Sequence, residues 1–176
     1  MINLKDFVHK YDNIIEKEIC EEIINQKDLK FYPAKTGGGV HKARNCLVKP
    51  IEKNFDSKIH EIISKIIQLY MDDHEHFGPG MGSIEDTGYE HLLYLGSNKG
   101  EYKQHTDHMD MFPRILSVSI LLNDNYEGGD FSFFNGQHII KKKQGSAIVF
   151  PSNFCFPHAV LPVTQGDRHS IITWIH

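Results

Sequence analysis

Between Tyr102 and Asp110 the chain reads Tyr-Lys-Gln-His-Thr-Asp-His-Met-Asp, which holds two overlapping His-x-Asp pairs, His105/Asp107 and His108/Asp110. Residues two apart on an extended strand point to the same side, so either pair can present an imidazole and a carboxylate to one metal ion. Two histidines and one carboxylate on one face of an ion, with other positions open, is how non-haem Fe(II) is held for reaction with oxygen. Such a site needs a second histidine from elsewhere, and His158 is the candidate. Pro162 and Gly166 are expected to turn the chain back after it and set Arg168 on the neighbouring strand. A histidine and an arginine then point into one cavity. The planar donor fork of arginine matches a carboxylate, so it can anchor an acidic co-substrate.

The elements that must carry these residues follow from periodicity. Ile14, Ile15, Ile19, Ile23 and Ile24 recur at helical spacing and predict a helix over Glu16–Gln26, with acidic residues suited to the positive end of its dipole. Phe55, Ile59, Ile62, Ile63, Ile66, Ile67 and Tyr70 predict a second, longer helix, capped by Asn54 or Asp56, whose apolar stripe must pack across a sheet. Between the helices, Gly37-Gly38-Gly39 reads as a loop, followed by a strand through Asn45–Val48 that Pro50 ends. His74-Glu75-His76 reads as helix-end surface, because nothing nearby completes a metal site.

From Tyr89 onward, short apolar runs alternate with turns. The predicted strands are Tyr89–Leu95, Tyr102–Asp107, Ile115–Leu122, Phe131–Phe134, His138–Lys141, Ser146–Phe150, Ala159–Val163 and His169–Ile175. The fold class is thus mainly β with N-terminal helices (α+β): a jelly-roll core over about 89–176, with helical support over about 1–76 packed on one face, in one domain. The segments Gly78–Gly88 and Thr106–Pro113 are candidates for recognising substrate.

Bulk properties narrow the class. The 176 residues, 40% hydrophobic and 24% charged, suit one globular domain with a real core. A net charge of -4 gives no basic field for nucleic acid, and Lys141-Lys142-Lys143 reads as solvated surface. Cys20, Cys46 and Cys155 form no C-x-x-C pattern, so neither a disulfide framework nor a zinc knuckle is indicated. The absence of a signal-peptide layout and of a bilayer-length apolar run leads us to expect a cytoplasmic protein that does not enter a membrane.

In order along the chain stand Tyr94, Tyr102-x-x-His105-x-Asp107, Arg114, Leu122-Asn123, Gly128-Gly129, Gly145, Ala147-to-Phe150 with Pro151, His158-x-Val160-x-Pro162-Val163, Gly166-x-Arg168 and Ile172-x-Trp174. This composite resembles the Fe(II)/2-oxoglutarate-dependent dioxygenases, and within them the prolyl 4-hydroxylase branch. The resemblance extends from about Tyr89 to the C-terminus and is looser over the helices. It selects His105 and Asp107, rather than His108 and Asp110, as iron ligands with His158, because Tyr102 stands three residues before the ligand histidine and Arg114 follows. It implies that Arg168 binds the distal carboxylate of 2-oxoglutarate and that Tyr94 lines the co-substrate pocket and donates to it. It further implies that Ser170 adds a hydroxyl on the same side of the strand as Arg168 and that Trp174 walls the pocket, the alternative for Trp174 being a plain core tryptophan. One departure stands out: some relatives carry a tyrosine or threonine co-substrate contact just before the Leu-Asn pair, where this chain has Leu121.

The implied reaction uses Fe(II), 2-oxoglutarate and O2, supported by ascorbate, and hydroxylates an unactivated C–H bond with release of succinate and CO2. The implied substrate is a prolyl residue in a peptide or protein, with a free amino acid or other small molecule as the alternative. Three rivals carry less. A non-catalytic jelly-roll binding protein would not need the full ligand set with its arginine. Zinc hydrolysis needs no oxoacid anchor. Nucleobase demethylases carry a second arginine after the first, whereas Arg168 is the last arginine in this chain.

Overall fold

In the computed structural model, residues 3–27, 30–36, 42–77 and 85–176 are described. In chain order the elements are β1 (His9–Tyr11), α1 (Lys17–Asn25), β2 (Tyr32–Pro33), β3 (Arg44–Asn45), β4 (Leu47–Pro50) and α2 (Lys53–Asp73). Then come β5 (Glu90–Leu95), β6 (Glu101–His105), β7 (Leu116–Leu121), β8 (Glu127–Gly128), β9 (Phe131–Phe133) and β10 (His138–Ile140). The chain closes with β11 (Ala147–Pro151), β12 (His158–Val160), β13 (Val163–Gln165) and β14 (Asp167–Ile175). Seven strands form a large antiparallel sheet in the order β1-β11-β7-β14-β5-β4-β2, and five form a small one in the order β10-β9-β12-β6-β3.

Strand alternation gives the large sheet two different faces. Leu116, Val118 and Ile120 of β7, Ala147 and Val149 of β11, and Ile171 and Ile175 of β14 pack against the buried isoleucines of α1 and α2. Leu121, Ile148, Phe150 and Ile172 face the other way and meet Phe131, Phe133 and Val160 of the small sheet. Both helical stripes therefore found their partner on one face, as their periodicity requires. Neither Asn54 nor Asp56 caps α2: the helix already begins at Lys53, with Glu52 at the cap position and no side-chain cap bond. His74 closes the helix as its C-cap, stacks on Phe7 and lies 2.9 Å from His9, while His76 is exposed beside Glu75. The helix-end reading of that pair fits this arrangement.

Two expected strands are divided differently. The run expected over Asn45–Val48 is two strands: β3 joins the small sheet against β6, and β4 joins the large one against β5, with buried Cys46 between them. Pro50 is the last residue of β4, opposite Glu90, where a missing N–H costs little. The run expected over Ala159–Val163 breaks at Leu161-Pro162 into β12 and β13, since proline cannot continue the ladder. After the turn at Gly166 (φ +70) the chain enters the large sheet. Arg168 thus faces His158 from the opposite sheet, not from a neighbouring strand. Gly37–Gly39, and residues 78–84 of the candidate recognition loop, lie outside the described residues. Among the described residues no helix is long and apolar enough to cross a membrane.

Candidate active site

Strand register brings the two histidines together. β12 and β6 pair with His158 directly opposite His105, which puts their rings 4.3 Å apart centroid to centroid. β6 ends at His105, so the strand alternation expected to align Asp107 does not apply; the chain leaves the sheet and curls the carboxylate back. Asp107 Oδ1 then lies 3.6 Å from His105 Nε2, and its Oδ2 lies 3.6 Å from His158 Nε2. The ligand atoms of all three residues fall within 4.8 Å of one another, a span that one ion can bridge. His108 and Asp110 pair with each other instead, at 2.8 Å on the exposed rim.

The surroundings fix the orientation of each group. His105 and His158 both use Nδ1 on the carbonyl two residues back, Lys103 O at 2.8 Å and Phe156 O at 3.0 Å. With Nδ1–H donated to those carbonyls, both Nε2 atoms carry a lone pair toward the shared centre, the arrangement that metal-bound imidazoles require. Tyr102 stacks on His105 at 3.4 Å, and Phe131, Phe133 and Phe150 enclose His158. Asp107 accepts from Ser117 Oγ at 2.7 Å. Ser117 lies 2.8 Å from Ser152 Oγ, so Ser152 must donate to Ser117 for the relay to close. Burial pushes the Asp107 carboxyl up, but the two imidazoles, Ser117 and Trp174 outweigh it and hold the group below its ordinary range. Burial, followed by His158, pushes His105 down, which favours a neutral ring. These are the protonation states a metal ligand needs.

The far end of the cavity is cationic. Arg168, opposite Tyr94 in the β14–β5 ladder, is only 1% exposed. Its Nη1 donates to Ser170 Oγ at 2.7 Å, while Nε and Nη2 are buried with no partner. Among the described residues no carboxylate comes within ion-pair distance of it. Tyr94 and Phe131 lie over the guanidinium at 4.9 and 5.5 Å. A buried, under-bonded guanidinium costs free energy unless an acidic ligand completes it. That observation, together with the paired Nε2 atoms and carboxylate, matches what Fe(II) and 2-oxoglutarate require of a protein.

Each residue singled out in the sequence for this site, Tyr94, His105, Asp107, His158, Arg168, Ser170 and Trp174, lines the one cavity. Trp174 carries Arg114 over its ring at 3.7 Å, and Arg114 in turn donates to Asp107 O at 3.4 Å. The sequence reading missed Ser117, Ser152 and Arg44. Ser117 was detectable as a hydroxyl recurring at every second place in Leu-Ser-Val-Ser-Ile, on the face away from the helices. Arg44 lines the cavity from β3 and sits 5.1 Å over Tyr102, and no pattern near it in the sequence signals that. Replacing Ser117 with alanine should weaken Fe(II) binding roughly ten- to a hundredfold, read by equilibrium metal titration, because it strips the carboxylate of its orienting donor.

Comparisons with known proteins agree with this geometry. Residues 90–176 match the family described as the 2OG-Fe(II) oxygenase superfamily. A PKHD-type hydroxylase of Psychrobacter sp. is 35% identical over 75 residues, 40% of this chain and 28% of its own length, so the match spans less than a third of that relative. A putative prolyl 4-hydroxylase of Acanthamoeba polyphaga mimivirus is 27% identical over 179 residues, covering 93% of this chain and 71% of the relative. Among solved structures, a viral collagen prolyl hydroxylase from Paramecium bursaria Chlorella virus-1, determined with 2OG, superposes with a TM-score of 0.71 at 21% identity. That superposition covers 96% of this chain and 95% of the other, and at this identity it establishes the fold. A matching family segment that carries the His-x-Asp and distal His, on the same double-sheet fold, leads to one conclusion: the chain belongs to the 2OG-Fe(II) oxygenase superfamily.

Proposed function

We propose that the protein is an Fe(II)- and 2-oxoglutarate-dependent hydroxylase of an unactivated C–H bond, acting on a prolyl residue in a peptide or protein. His105, Asp107 and His158 hold the iron. Arg168 takes the distal carboxylate of 2-oxoglutarate, with Ser170 beside it and Tyr94 and Trp174 as walls. The observation that carries this reading is the pairing, in one cavity, of three converging ligand atoms with a buried arginine that has two unbonded donors. When bound, the iron and 2-oxoglutarate supply oxygen activation, with one oxygen atom entering succinate and the other the substrate C–H bond. The chain's part is to keep both Nε2 atoms unprotonated, hold the Asp107 carboxylate through Ser117, and shield the centre with Phe131, Phe133 and Phe150.

The prolyl assignment rests on likeness to prolyl hydroxylases, and the rim residues from Thr106 to Pro113 are where substrate is read. Incubation with Fe(II), ascorbate and 2-oxoglutarate, across proline-containing peptides and free amino acids, tests it. A mass gain of one oxygen on a peptide proline supports the reading, and gain only on a free amino acid overturns the peptide assignment. His108→Ala should lower turnover only a few-fold, since His108 pairs with Asp110 at the rim and not with the ligand group. A loss as deep as that of His105→Ala would overturn the choice between the two His-x-Asp pairs.

A further inference from the structure

We infer that the Tyr126 hydroxyl donates the second hydrogen bond to the distal carboxylate of the 2-oxo acid, beside Arg168. This rests on the proposed co-substrate role of Arg168 and extends it to a residue that neither the family match nor the sequence pattern singles out.

The need for a second donor comes from Leu121. It lies opposite Ser170 in the β14–β7 ladder, is 2% exposed, and belongs to the apolar cluster between the sheets. It can pack there but cannot hydrogen-bond. Five residues on, Tyr126 is 5% exposed and belongs to the same cluster. Its hydroxyl is buried and has no hydrogen-bond acceptor, as do Nε and Nη2 of Arg168. A buried hydroxyl whose proton has no acceptor is unfavourable, so its presence here points to a ligand that satisfies it.

The two side chains are also built to lie together. Gly129 sits at φ +65, and a Cβ there would come within 2.8 Å of Tyr126 Cε2 and 3.2 Å of Arg168 Cδ. A bare backbone at that point lets the phenol and the arginine stem share one slot. Burial raises the Tyr126 pKa, and the neighbouring Arg168 charge only partly opposes this, so the hydroxyl keeps its proton. The phenol oxygen can accept from the guanidinium beside it, but the phenol proton and the remaining guanidinium donors have no acceptor, which calls for an anion with two oxygens. A carboxylate has that shape, taking the guanidinium on one side and the phenol on the other.

The test is direct binding. Trp174 is the only tryptophan of the chain and lines the cavity, so its fluorescence reports on ligands entering it. The Fe(II)-loaded protein is titrated without oxygen, using 2-oxoglutarate and then 2-oxopentanoate, which keeps the metal-binding end and carries a methyl where the distal carboxylate stood. Tyr126→Phe should weaken 2-oxoglutarate roughly tenfold, the loss of one hydrogen bond to a charged group, and leave 2-oxopentanoate unchanged. Unchanged 2-oxoglutarate affinity overturns the inference, and so does an equal loss for both acids, which would mark a packing role. If the unaltered protein shows no preference for 2-oxoglutarate over 2-oxopentanoate, the Arg168 anchor falls as well. A preference that Tyr126→Phe leaves intact removes Tyr126 alone.

Discussion

Asp107→Ala is expected to abolish iron-dependent succinate formation, with a fall greater than about a hundredfold. The size follows from comparison: loss of a group that merely orients a ligand costs about ten- to a hundredfold, and Asp107 is proposed as the ligand itself. It is also the only carboxylate in the described ligand group, placed 3.6 Å from each imidazole nitrogen. The variant should still fold. It removes a buried charge along with the hydroxyl's acceptor, and Ser117 can turn to Ser152, 2.8 Å away. Iron content measured on the purified variant separates lost binding from lost turnover, and circular dichroism checks the fold. Succinate formation at the unaltered rate, with iron retained, would remove Asp107 from the ligand set.

The second large effect is expected at Arg168. Arg168→Ala should raise the 2-oxoglutarate concentration for half-maximal activity on the order of a hundredfold, since at least two charge-assisted hydrogen bonds are lost. Arg168→Lys should recover little of it. A lysine is a point donor that cannot reproduce the fork, and its ammonium would sit among Tyr94, Phe131 and Ser170 without the reach of the guanidinium. An unchanged 2-oxoglutarate requirement in Arg168→Ala would contradict the anchor role. Because Arg168 is fully buried, its removal leaves a cavity, so stability is measured alongside and the comparison is made at equal folded fraction.

The cluster of His105, Asp107 and His158 was legible because a His-x-Asp pair is a distinctive short spacing, and a resemblance in order singled out this pair and the distant histidine that the fold brings beside it. The helices were legible because five isoleucines in each stretch, joined by Phe55 and Tyr70 in the second, recur at helical spacing and have no other use than burial. What the sequence left out were relations between strands. Nothing local says that Arg44 and Asn45 belong to one sheet while Leu47 begins a strand of the other. Nothing near Pro162 says that the chain changes sheets there, so Arg168 was expected beside His158 and stands across from it. Ser152 and Tyr126 escaped for the same reason. A serine after a strand and a tyrosine before a turn are ordinary until the pairing of distant segments decides what they touch.

That change of sheet has a consequence for the choice of co-substrate. The imidazole pair hangs from the small sheet and the arginine from the large one, so the gap between them is set by how closely the sheets pack. Packed sheets lie roughly 10 Å apart, held here by Leu92, Phe131, Phe133, Phe150 and Ile172, which are poorly compressible. An acid held between iron and Arg168, as proposed, would thus be measured against a fixed ruler. The number of methylenes it carries is selected by the hydrophobic core, not by a loop that could adjust, and an oxoacid one carbon longer or shorter would have to strain itself to fit.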